Sequence, residues 1–147
     1  MRADMVAPMI AGSFSPLRYA FGGLIALAVA MGIGRFVYTP ILPGMMDGLD
    51  LSASDAGLIA AANYLGYLLG AFAAAGGWAH GRERAVVLWG LAASAALAAA
   101  MGLTASLTLF LAIRLAAGVA SAFVMVVLTT IVLSRLAVSG RNGLQAL

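Results

Sequence analysis

Apolar residues run along this chain in long blocks, not in the strict alternation of a half-buried strand or the narrow stripe of a soluble amphipathic helix. Four blocks stand out, at about 19–42, 54–79, 85–103 and 107–133, and each reaches the roughly 20 residues that a helix needs to cross a bilayer. The pattern predicts an all-α membrane protein with four transmembrane helices, preceded by a tail over 1–18 and followed by a connection that begins over 136–147. Boundary residues refine the map. "SASD" at 52–55 has the Ser-x-x-acid form of a capping box, so the second helix is expected to start there. Pro40 has no N–H to donate and Pro43-Gly44 reads as a turn, so the first helix is expected to loosen or end near 40–43, leaving an outer loop of about 43–52.

Composition removes several function classes. The chain is 64% hydrophobic and 9% charged over 147 residues, far more apolar than the core of a soluble domain requires. It has no cysteine, which excludes disulfides and thiolate metal sites, and no set of residues implies a metal or a cofactor. The first block raises one alternative, because Ala28-Val29-Ala30 resembles a signal-peptide cleavage site behind Arg2 and Arg18. The apolar character continues past Ala30 to Leu42, which fits an uncleaved span better.

Charge sets the orientation. All 8 basic residues are arginines; Arg2 and Arg18 precede the first block, Arg82 and Arg84 separate the second from the third, and Arg135 and Arg141 follow the fourth. The positive-inside rule makes those regions cytoplasmic, with both chain ends inside, and puts Asp47 and Asp50 outside. The net charge of +3 follows from topology, and no basic stripe suggests a nucleic-acid partner. The expected place is a membrane, crossed several times.

Two helix faces carry polarity. On the second helix Asn63, Gly66, Tyr67, Gly70, Ala74 and Gly77 recur at steps of three or four. That spacing fits a close-packing seam pinned by Asn63, or a seam on which Asn63 and Tyr67 also look into a substrate path. On the fourth, Arg114, Gly118, Ser121, Ala122 and Met125 share a face. Arg114 lies about seven residues into its helix, roughly 10 Å at 1.5 Å per residue, and Arg35 comes out at a similar depth on the same side. Each arginine either snorkels to the outer headgroups or lines a polar cavity, where Tyr38 and Thr39 would join Arg35. The third block has little polarity beyond Ser94 and reads as a lipid-facing support. No acid lies well inside any block, which removes the simplest intramembrane proton carrier. No nucleophile, base or metal set lies in the spans, so an enzyme is not expected, and the one histidine, His80, falls in a loop.

Residues 32–71, "GIGRFVYTPILPGMMDGLDLSASDAGLIAAANYLGYLLGA", resemble the amino-terminal part of the YbfB/YjiJ branch of the major facilitator superfamily. "GGWAHGRER" at 76–84, with Gly77, His80, Arg82 and Arg84, is similar to that superfamily's loop between the second and third helices, with His80 where an Asp is usual. "RLAAGVASA" at 114–122 is similar to its fourth-helix pattern. The resemblance implies the first four helices of a twelve-helix fold built from three-helix repeats. It further implies a fragment of a secondary transporter of a small solute, with the carboxy-terminal helices missing. Arg35 and Arg114 would then be cavity cations able to grip an anionic group, with Tyr38, Thr39, Asn63 and Tyr67 as wall residues and Gly66, Gly70, Gly77 and Gly118 as packing positions. The competing class is a four-helix membrane protein that acts as an interaction or assembly partner through the Gly66/Gly70 seam.

Overall fold

The computed structural model describes residues 16–36, 38–77 and 79–138; within its helices the side chains of 16–20, 30, 33–35 and 135–138 lie outside that description. Most of the expected 1–18 tail and of the 136–147 connection therefore falls outside the described residues, as does the side chain of Arg35. Helices account for the architecture, and the described residues contain no strand. In chain order they are α1 (Pro16–Ala28), a π-helical stretch (Val29–Phe36), α2 (Tyr38–Leu49), α3 (Ala53–Ala75), α4 (Glu83–Met101) and α5 (Leu107–Val138).

Among the described residues three helices are long and apolar enough to cross a membrane: α3, α4 and the Leu107–Ser134 part of α5. The first apolar block differs from expectation. It is divided into pieces of 13, 8 and 12 residues, none of which reaches that length alone. It also does not stop at its prolines, because α2 carries Pro43 inside it and continues to Leu49. Pro40 sits in the first turn of α2, where its missing N–H would have had no intrahelical partner. Pro43 does remove one helical bond, a loss that membrane helices absorb by local π or 3₁₀ adjustment and neighbouring groups. The helix ends instead at Asp50, whose φ of 51° is left-handed, and Leu51 N–H closes the end by donating to the Met46 carbonyl at 3.2 Å. The outer loop expected over 43–52 thus shrinks to residues 50–52.

The other boundaries follow from local chemistry. Ser52 caps α3: its Oγ accepts from Asp55 N–H at 3.1 Å, and its own N–H donates to the Asp55 carboxylate at 3.0 Å. Gly77, with φ of 70°, turns the chain after α3, and a Cβ there would meet nothing within 4 Å. It therefore serves the helix end, and the packing role expected for it is not seen. Gly81 N–H donates to Glu83 Oε1 at 2.8 Å just before α4.

Helix α5 is the centre of the bundle, packed chiefly on α3, next on α4, and on α1 to a lesser extent. The α3–α5 contact is backbone against backbone. A Cβ on Gly66 would overlap the Leu115 carbonyl, and one on Gly118 would overlap the Asn63 carbonyl. A Cβ on Gly70 would come to 2.8 Å from the Val119 carbonyl oxygen. In a bilayer, where helices gain little from burial as such, this closeness supplies the dispersion contacts that hold them together. Helix α4 is more than a lipid-facing support: it buries Val87, Gly90 and Ser94, with Val124 of α5 filling the space over Gly90, while Leu88 and Trp89 face outward.

Candidate functional site

The site is assembled around Arg114. Helix α5 starts at Leu107, which carries Arg114 about 10 Å into the bundle. There it is 4% exposed, and its guanidinium lies 4.2 Å from the centroid of the Tyr38 ring. A desolvated cation over an aromatic face gains on the order of 2 kcal/mol, part of what a cation at membrane depth costs. Tyr38 is itself fixed. It opens α2, it packs with Ile59 of α3 and Phe110 of α5, and its hydroxyl donates to the Ala56 carbonyl at 3.3 Å. Helices α2, α3 and α5 therefore hold one cation–ring pair in place.

That pair lies on the wall of a cavity of about 510 Å³ between α2, α4 and α5. From α2 come Tyr38, Ile41, Gly44, Met45, Gly48 and Leu49, positions that recur on one helical face. From α4 comes Ser94, 7% exposed, whose hydroxyl has no hydrogen-bond partner among the described residues. The remaining wall is mostly apolar, with Leu97, Met101, Phe110 and Ile113 prominent, and among the described residues no acid contributes to it. Gly102 and Thr104 place the cavity at the end of the bundle that carries the α4–α5 connection.

The sequence candidates separate into three groups. Arg114 and Tyr38 meet at the cavity. Thr39, next to Tyr38, is exposed and is not part of the wall. Asn63 and Tyr67 belong to the α3–α5 side: Asn63 is 4% exposed beside Gly118, and the Tyr67 hydroxyl donates to Met125 Sδ at 2.8 Å. His80, Arg82 and Arg84 are exposed in and after the α3–α4 turn. Gly66 and Gly70 are occupied by α5 within the chain itself, so that seam is not open to another protein. Sequence reasoning missed Gly44, Gly48 and Ser94. The i, i+4 glycine spacing was a signal, masked because Pro43-Gly44 also has the form of a turn.

A family profile described as "Uncharacterised MFS-type transporter YbfB" matches residues 27–147. The chain belongs to that family. "Uncharacterized MFS-type transporter YceJ" of Bacillus subtilis (strain 168) is 34% identical over 94 residues, which is 64% of this chain and 24% of the relative. The match thus spans about a quarter of that relative's length. No solved structure matches. Family membership together with the membrane-length helices makes this a multi-pass membrane protein of the major facilitator superfamily.

Proposed function

We propose that the chain supplies the first four crossings of a secondary active transporter that moves a small solute across a bacterial inner membrane, and that Arg114, held by Tyr38, faces the solute. The observation that carries this reading is the buried guanidinium stacked at 4.2 Å on Tyr38 at the wall of the cavity. A snorkelling arginine would reach for the headgroups, whereas this one is buried with its guanidinium over the Tyr38 ring. Alternating access needs the inverted repeats of two helical halves moving around a central site, so transport belongs to the assembly containing these crossings. In this reading α1, the π-helical stretch and α2 form one continuous crossing, both chain ends are cytoplasmic, and the cavity opens on the outer side. Arg35 is proposed as a second cation of the same region.

Two measurements test the proposal. Single cysteines at Asp47 and Arg82, introduced into this cysteine-free chain, are expected to react with an impermeant thiol reagent from opposite sides of the membrane, Asp47 from outside. Labelling of both from one side would overturn the four-crossing map. In the full transporter, Arg114→Lys is expected to lower uptake at least tenfold at unchanged abundance, because lysine keeps the charge but not the planar group that stacks and forks. Arg35→Lys is expected to act in the same direction. Full uptake by both lysine variants would make the arginines anchors.

A further inference from the structure

The cavity wall is chemically lopsided, and that narrows what fits it. It offers one cation, Arg114, and one nine-tenths-buried hydroxyl without a protein partner, Ser94, inside walls that are otherwise mainly apolar. A neutral polyol would leave most of its hydroxyls unpaired against Ile41, Leu97, Met101 and Phe110, each at a cost of about 1–3 kcal/mol. Arg114 is the one cation among the described wall residues, and its guanidinium matches one anionic group. A cation would be repelled by Arg114, since among the described residues no acid lines the space. A single anionic group on an apolar body satisfies every part of the lining. The guanidinium takes the anion, Ser94 donates to it, and the aliphatic and aromatic walls take the remainder.

Room for that body comes from α2. A Cβ on Gly44 or on Gly48 would meet nothing within 4 Å, so these two glycines, one turn apart on the cavity face, keep α2 from filling the space opposite Ser94 and Met101. Unlike Gly66 and Gly118, where a Cβ collides with backbone, Gly44 and Gly48 combine an unfilled Cβ position with a place in the cavity lining. We infer that the cavity between α2, α4 and α5 is a binding site for an apolar monocarboxylate, with Ser94 as a selectivity residue contributed by α4. The inference rests on the reading of Arg114 as solute-facing.

The test is direct binding of 4-phenylbutyrate to the purified full chain in phosphatidylcholine nanodiscs, followed by calorimetry. Neutral 4-phenylbutanol and cationic 4-phenylbutylamine serve as comparison ligands. The acid is expected to bind at least tenfold more tightly than the alcohol, and the amine not measurably. Ser94→Ala is expected to weaken the acid about tenfold, as loss of a hydrogen bond to a charged group does, and to leave the alcohol nearly unchanged. Gly44→Leu is expected to weaken both acid and alcohol at least tenfold while the helical circular dichroism is kept. Adding phosphatidylglycerol separates a free acid from a lipid: competition supports the same anionic chemistry with a lipid head as its source, and absence of competition supports the free acid. Equal affinity for acid and alcohol, no binding of the acid, or unaltered binding in Gly44→Leu would overturn the inference. Uptake of labelled 4-phenylbutyrate by the full transporter distinguishes its failure from that of the transport reading. Uptake that needs Arg114 but ignores Gly44→Leu overturns the site alone, whereas binding that behaves as expected without any uptake overturns transport alone.

Discussion

The α3–α5 seam and the α2–α4–α5 cavity are both built from glycines at helical spacing, and they use them in opposite ways. In the seam the glycines let backbones touch: the missing side chains of Gly66 and Gly118 are replaced by the Leu115 and Asn63 carbonyls. In the cavity Gly44 and Gly48 face open space. The same residue type thus brings one pair of helices into backbone contact and leaves another helix face unfilled, and only the neighbour across the gap tells the two apart. The closely packed α3–α5 pair gives Arg114 its platform, because the Ala56 carbonyl of α3 accepts from the hydroxyl of Tyr38, on whose ring the guanidinium stacks.

The comparison is broken most strongly by a methyl group in the seam. Gly118→Ala or Gly66→Ala places a Cβ on the opposing backbone, which has no flexible side-chain end to yield, so α3 and α5 must separate. Overpacking of this kind costs about 1–3 kcal/mol or more, and the amount of protein resistant to protease in the membrane is expected to fall severalfold. Unchanged protease resistance in both variants would mean that the two helices are not in backbone contact. An intermediate effect is expected at Tyr38. Tyr38→Phe keeps the ring under Arg114 and loses only the bond to Ala56, about 1 kcal/mol, so uptake by the full transporter should fall a few-fold. Tyr38→Leu loses the ring as well and should fall further; equal effects would assign the role to the hydroxyl and remove the cation–ring pair from the site. The smallest effect has the opposite sign. Gly44→Ala adds a methyl where nothing is within 4 Å and removes a helix-interior glycine, so thermal stability in detergent is expected to rise by roughly 0.5–1 kcal/mol. A loss of stability there would show that Gly44 is packed like Gly66.

What could be read from the sequence was what depends on near neighbours. The cap at Ser52 and Asp55 is a contact between residues three apart, and the bonds that make it need nothing from the rest of the molecule. The starts of α3, α4 and α5 fall within two residues of where the apolar blocks begin, because block length and polar breaks are sequence properties. The charge of Arg114 and its depth along α5 are likewise set by counting residues. The tertiary structure decided the rest. Pro43 stays within a helix that ends in a closure at Asp50, a continuation that the turn chemistry of Pro43-Gly44 alone does not predict. Ser94, a modest polar residue in an alanine-rich block, gains meaning only because α4 sets it in the same wall as Arg114. Hydrogen-bonded caps and helical periodicity act over a few residues, whereas facing is a relation among several helices at once. Whether a glycine is a contact or an opening is therefore fixed by what the bundle brings across from it.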